Sequence, residues 1–233
     1  MLDVCNLSIS FPNDNGAAVP VVRDVSFHVG SGEVVGLVGK SGCGKTVLAT
    51  SVLGMLEPPG QIDSGTIRYQ KKNGTAVDLL SLGERAWQRI RGKEISMIFQ
   101  DSVQSLNPSR TIGSQFAEAL RVHRKGLSRA ECTNITGQML ESVMLSDIDH
   151  VMGAYPFQLS GGMCQRVMIA MVLAHRPRLL IADEPTTALD VVSQAQIISL
   201  MQKLQREYGT AILLISHDLK LVQEIAGHVV KLG

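Results

Sequence analysis

The chain has 233 residues, long enough for one compact domain with a lobe and for a core that needs neither disulfides nor metals. Lys plus Arg number 22 and Asp plus Glu 21, a near balance that excludes a strongly basic nucleic-acid binder and an acidic tail protein. Apolar residues make up 45% and charged residues 18%, a globular rather than disordered composition, and aromatics at 4% argue against a base-stacking platform. Four scattered cysteines (Cys5, Cys43, Cys132, Cys164) form no C-x-x-C pair, so neither a disulfide framework nor a zinc site is expected. No secretory leader is visible, and the longest apolar run, Val167 to Ala174, is far shorter than the roughly 20 residues that span a bilayer.

In chain order, Val4–Ser10 and Val21–Val29 read as strands separated by the turn-rich Pro12-Asn13-Asp14-Asn15-Gly16. Glu33–Val38 is a short apolar run of the kind a buried parallel strand shows. Lys45–Leu56 predicts a helix, and Ser64–Tyr69 another strand. The middle changes character. Ile112, Phe116 and Leu120 fall on one helical face within Ile112–Arg124, and Ser128-Arg129-Ala130-Glu131 fits a capping box opening a second helix through Met139 and Met144. A helical lobe is therefore placed at about residues 102–158. The alternation then returns: helix Cys164–His175, strand Leu179–Ala182, helix Val191–Tyr208 closed by Gly209, strand Ala211–Ile215. This rhythm predicts an α/β fold with a mostly parallel sheet and helices on both faces.

Gly39-Lys40-Ser41-Gly42-Cys43-Gly44-Lys45-Thr46 matches G-x-x-x-x-G-K-[ST] in full, after a strand and before a helix. Its glycines let backbone amides converge on phosphate oxygens, and the helix start turns its positive dipole end toward the same anion. Lys45 can neutralise β- and γ-phosphates, and the Thr46 hydroxyl can ligate Mg²⁺. Cys43 sits in the same electropositive loop, where it is either a thiolate-prone group or a small residue in place of serine. Asp183 and Glu184 end the apolar strand 179–182, so they should face this loop, because ligands bind beyond the carboxyl ends of parallel strands. Asp183 can hold Mg²⁺ through water, and Glu184 can orient or deprotonate an attacking water. Leu159-Ser160-Gly161-Gly162-Met163-Cys164-Gln165-Arg166 supplies a second anion-binding helix start, with Ser160 as a hydroxyl donor. One γ-phosphate does not need two such sites within one chain. Two chains arranged head to tail do.

Taken together, these segments resemble the ATPase subunits of ABC transporters over almost the whole chain. The ordered set is the phosphate loop, Gln100, the signature at 159–166, Asp183-Glu184, Ala188-Leu189-Asp190 and His217. Residues 91–101, Ser105-Leu106-Asn107-Pro108, Tyr155-Pro156-Phe157-Gln158 and 183–190 are similar to the dipeptide/oligopeptide/nickel importer subfamily. Ser102 stands where that subfamily usually has proline and Cys164 where it often has arginine. The chain ends soon after His217, where the family normally continues.

The resemblance implies a P-loop NTPase (RecA-like) core with an N-terminal antiparallel β-subdomain, together about 1–101 and 159–233, and an inserted helical subdomain at about 102–158. It implies ATP and Mg²⁺ as ligands, with Glu184, His217 and Gln100 in catalysis. Gln100 would reach the Mg²⁺ or the attacking water, and His217 the γ-phosphate. Ser160, Gly161, Gly162, Gln165 and Asp190 would join the nucleotide site. Phe11 either stacks on adenine or is a core residue at a strand end. The implied partners are a second ATPase subunit, identical or paralogous, membrane permease subunits and, indirectly, a solute-binding protein, with no nucleic acid. The implied location is the cytoplasmic face of the membrane. A DNA-repair clamp would need a long coiled coil between phosphate loop and signature, and residues 47–158 hold no sustained heptads. A ribosome-associated factor would usually carry two cassettes. A P-loop kinase or GTPase would lack the signature and His217.

Overall fold

A computed structural model of the chain describes residues 1–100, 105–187 and 189–232. Ser102 and Ala188, both singled out above, lie outside the described residues. The first strands, β1 (Leu2–Pro12) and β2 (Ala18–Val29), form a hairpin whose turn is fixed by Asn13. The Asn13 side-chain oxygen accepts from the amides of Asn15 and Ala17 at 3.0 and 2.9 Å, the local bonding that makes asparagine a turn residue. With β4 (Gln61–Gln70) and β5 (Ala76–Asp78) they make an antiparallel sheet in the order β2-β1-β4-β5.

A second sheet is parallel throughout. Its strands are β3 (Val34–Gly39), β6 (Ile95–Ile98), β7 (Leu179–Asp183), β8 (Ala211–Ile215) and β9 (His228–Leu232), in the order β6-β7-β8-β3-β9. The two-residue period of a strand divides its side chains between two cores. Val35, Leu37, Leu179, Ile181, Leu213 and Ile215 face the antiparallel sheet and pack with Leu2, Val4, Ile9 and Ile67. Val34, Val38, Leu180, Ala182, Ile212 and Leu214 face the opposite way, into the helices. Near-continuous apolar strands are what a sheet buried on both faces requires.

The helices are α1 (Lys45–Val52), a short α2 (Glu84–Trp87), α3 (Ile112–His123), α4 (Arg129–Ser142), α5 (Ile148–Gly153), α6 (Gly161–Leu173), α7 (Val191–Tyr208) and α8 (Leu219–Ile225). In α3, Ile112, Phe116 and Leu120 are fully buried, as their spacing predicts. The α4 capping box is present, with the Ser128 hydroxyl accepting from the Glu131 amide and the Glu131 carboxylate accepting from the Ser128 amide. Gly209 closes α7 in the left-handed conformation at φ 65°.

Most strands run one to three residues beyond the sequence reading at one end or both, and three helix boundaries differ for local reasons. α1 stops at Val52 rather than Leu56, because Gly54 turns left-handed (φ 60°) and admits the Trp87 indole, which a Cβ there would meet at 2.6 Å. α4 ends at Ser142, and Met144 takes a positive φ of 59°. α6 opens at Gly161 rather than Cys164, since the Ser160 hydroxyl caps it by accepting from the Met163 amide.

α3 and α6 both finish against a pair of imidazoles. His123 and His175 meet edge to face with ring centroids 5.2 Å apart. Burial, with the charges of His123 and Arg124 nearby, pushes His175 down to about 4. The folded state therefore holds His175 neutral where the unfolded chain protonates it, so its contribution to stability is complete above pH ~6.5 and lost as pH falls toward 4. In urea titrations at pH 7 and pH 5, we expect the wild type to lose about 1–2 kcal/mol more stability than His175→Gln. Equal losses in the two proteins would show that this imidazole is not the source.

Candidate functional site

The parallel registers bring the sequence motifs to one rim. Leu37 pairs with Ile215, Asp183 with Ile215 and Ile98 with Ala182, so β7 and β8 end together, with β6 one residue short of them and β3 two residues beyond. The phosphate loop leaves β3, Asp183-Glu184 closes β7, Ser216-His217 follows β8, and Gln100 follows β6. This is the carboxyl-end location at which open parallel sheets bind ligands.

Within the loop, Gly42 and Gly44 take φ of 77° and 94°, and Gly44 also lies against the Val21 carbonyl of β2, which a Cβ would meet at 3.0 Å. A Cβ on Gly39 would lie 2.5 Å from the Leu232 carbonyl and 2.6 Å from the Cys43 Sγ. Gly39 and Gly44 are thus required by the close approach of the loop to β9 and β2, and Gly42 by its positive φ. Lys45 is buried and folds back over the loop, its Nζ donating to the carbonyls of Gly39 and Lys40 at 2.8 and 2.9 Å and lying 4.0 Å from Cys43 Sγ. Lys40 and Ser41 are exposed on its outer side.

The Thr46 hydroxyl donates to Asp183 Oδ2 at 2.7 Å, joining α1 to β7 across 137 residues. Burial raises the Asp183 carboxyl above its ordinary value and the Glu184 charge adds to this, while the Thr46 hydrogen bond and Lys45 act in the opposite direction. A hydroxyl beside a buried carboxylate is a hard-oxygen pair, the donor set that Mg²⁺ takes. Glu184 sits at φ 47°, an uncommon conformation for a residue with a side chain. Its amide donates to the Ile215 carbonyl at 2.9 Å, and its Oε2 accepts from the Thr187 hydroxyl at 3.1 Å and lies 3.3 Å from His217 Nδ1. Thr187 was missed at the sequence level, and its only signal was position, three residues after Glu184. His217 and Gln100 are exposed at the rim.

Phe11 is half-buried at the end of β1, its ring against Gly60, where a Cβ would come within 2.7 Å of Cζ. It also packs against the core between the two sheets, so part of the ring is structural. Ser160 and Gly161 are exposed at the start of α6, and a Cβ on Gly161 would meet nothing within 4 Å. No packing among the described residues therefore calls for glycine at 161, whereas Gly162 is half-buried.

Two assigned residues are engaged otherwise than the resemblance implied. Gln165 is fully buried and donates to the Pro185 carbonyl at 2.6 Å, so it has no surface to offer a nucleotide. Asp190 is exposed, but it caps α7 with both oxygens, accepting from the Ser193 amide at 3.0 Å and the Ser193 hydroxyl at 2.7 Å. Those hydrogen bonds hold its carboxyl below its ordinary value.

A family model described as "ABC transporter" matches residues 22–187. A Brucella ovis protein provisionally named a peptide import ATP-binding protein is 48% identical over 231 residues, covering 99% of this chain and 68% of that protein. An oligopeptide transport ATP-binding protein of Bacillus subtilis is 44% identical over 231 residues, with the same two coverages, 99% and 68%. Among solved structures, a dimeric bacterial ABC transporter cassette superposes with a TM-score of 0.87 at 25% identity, covering 100% of this chain and 94% of that one. A post-hydrolysis dimer bound to ADP and phosphate superposes at 0.86, with the same identity (25%) and the same coverages (100% and 94%). With the phosphate loop, the acidic strand end and the outward helix start all in place, the chain belongs to the ABC transporter family and is an ATP-binding cassette with ATPase activity.

Proposed function

We propose that this chain is the ATPase subunit of an importer for peptides, driving a separate membrane permease through ATP-dependent closure of an ATPase dimer. The peptide-import names of its relatives support the cargo class. The single observation that carries the mechanism is the arrangement at the sheet rim: Lys45 over its backbone cradle, Thr46 bonded to Asp183, and Glu184 beside His217.

In this reading the amides of residues 39–46 and the Lys45 ammonium hold the β- and γ-phosphates, Lys45 exchanging its bonds to Gly39 and Lys40 for phosphate oxygens. Phe11 offers the exposed part of its ring to the base. Thr46, Asp183 and Gln100 would hold Mg²⁺, which supplies charge neutralisation at the phosphates when bound. Glu184 orients a water for attack on the γ-phosphorus and accepts its proton, and the bond from phosphorus to the β,γ-bridging oxygen breaks. His217 steadies the Glu184 carboxylate and turns toward the γ-phosphate. Ser160, with Gly161 and Gly162, meets the nucleotide held by the second ATPase subunit, identical or paralogous. The open space at Gly161 suits close approach by another chain.

No described helix is long and apolar enough to cross a membrane. The permease contact is assigned to an apolar groove of about 330 Å³ between β6 and α6, lined by Met97, Phe99, Leu106, Met168, Met171 and Val172. Phe99 precedes Gln100, so a permease segment seated in this groove bears on a residue at the nucleotide rim. The chain then lies on the cytoplasmic face of the membrane, held there through the permease, and an extracytoplasmic binding protein delivers the peptide.

Glu184→Gln should bind MgATP with near wild-type affinity and hydrolyse it ~100-fold or more slowly. Unchanged turnover in the reconstituted transporter would remove Glu184 from its role. Gln100→Ala should lower peptide uptake by the reconstituted transporter while ATP affinity stays within about twofold. Full uptake by that variant would break the proposed link between groove and nucleotide.

A further inference from the structure

α6 carries a buried polar side chain that the nucleotide chemistry leaves unused. Gln165 is fully enclosed. Its Nε2 donates to the Pro185 carbonyl at 2.6 Å, while its Oε1 is buried with no partner among the described residues. The orientation of the amide follows from chemistry: a proline carbonyl only accepts, so the nitrogen must face it. A buried acceptor without a partner opposes folding, and a methionine of similar size would fill the space without that cost. What methionine could not do is hold Pro185.

Pro185 directly follows Glu184, whose left-handed φ of 47° is a conformation that persists only where the surroundings impose it. On one side the Glu184 amide is tied to Ile215 of β8. On the other, Gln165 holds the Pro185 carbonyl. The neighbours of Gln165 bond elsewhere: Cys164 Sγ to the Pro156 carbonyl at 3.4 Å and Arg166 to the Met144 carbonyl at 2.9 Å. Three consecutive residues of α6 therefore fasten it to the chain just ahead of the signature, to the turn carrying Glu184 and to the end of α4.

We propose that Gln165 is a positioning residue that keeps Glu184 in its left-handed, water-facing conformation through the Pro185 carbonyl. The same bond makes the helix that presents Ser160 outward and the turn that presents Glu184 inward one mechanical unit. This rests on the functional reading above, in which Ser160 serves the nucleotide of the second subunit and Glu184 serves this chain's own.

Two variants in the assembled transporter test it. Gln165→Met keeps the volume and removes the donor. It should melt within a few degrees of wild type and retain the KM for ATP within about twofold, but its kcat should fall ~10- to 100-fold, the size of effect that follows from small misplacement of a reacting group. Gln165→Glu buries a carboxyl that desolvation keeps protonated at the acid end of the range, where its O–H can donate to Pro185. Its kcat relative to wild type should be near one at the acid end and fall as pH rises and the donor is lost. A Gln165→Met complex with wild-type kcat would overturn the proposal. So would a Gln165→Glu complex whose activity relative to wild type does not change with pH. A wild-type complex that hydrolyses no ATP would overturn the functional reading itself, and this inference with it.

Discussion

Parallel strand pairing gathers the residues of the candidate site from four distant parts of the chain. A parallel sheet puts the carboxyl ends of its strands on one edge, and here four neighbouring strands, β6, β7, β8 and β3, end within three residues of one another in register. Segments separated by more than a hundred residues of chain, the phosphate loop and the Asp183-Glu184 pair among them, become neighbours for that reason alone. The hydrogen bond from Thr46 to Asp183 fastens the arrangement, tying the helix that starts under the phosphate loop to the strand that ends in carboxylates. Both faces of the sheet are covered, one by the antiparallel sheet with α1 and one by the later helices, so the rim stands on a core that resists deformation.

The chemistry at the rim follows from how charge is placed there. Lys45 with its loop of amides adjoins Thr46, and Glu184 with the His217 imidazole adjoins Asp183, so the Thr46–Asp183 bond links the two groups. In the proposed mechanism the first group serves binding of the triphosphate and the second serves attack by water. Glu184 is held in an unfavourable backbone conformation by bonds on both sides, the kind of local strain that structures keep where geometry matters more than stability. The second helix start, at Ser160, faces outward with open space beside Gly161, and a chain with one phosphate cradle has no internal use for it.

Much of this was legible in the residues. The phosphate loop is a local pattern whose glycines and lysine are dictated by the anion. The span of α7 and its Gly209 terminus, the Ser128–Glu131 capping box and the apolar stripe of α3 are likewise local, so short-range physics suffices to find them. Elements set by tertiary packing were not legible. β6 has only four residues, and β9 is half-exposed at the sheet edge, where the alternation is weak. α1 ends at a left-handed Gly54, which is a local stop signal, but the second reason for glycine there, the Trp87 indole 33 positions on, is one that no window on the sequence can see. Gln165 and Asp190 show the same limit at the level of single side chains. Their motif positions suggested nucleotide, while burial assigned one to Pro185 and helix capping assigned the other to Ser193.

If the outward Ser160 helix start completes a nucleotide site only across a subunit boundary, ATP must join two cassettes. Sedimentation of Glu184→Gln, alone and mixed with a companion ATPase subunit, should then show a dimer with saturating MgATP and monomers with ADP. A cassette that stays monomeric with ATP, alone and in the mixture, would refute the shared site.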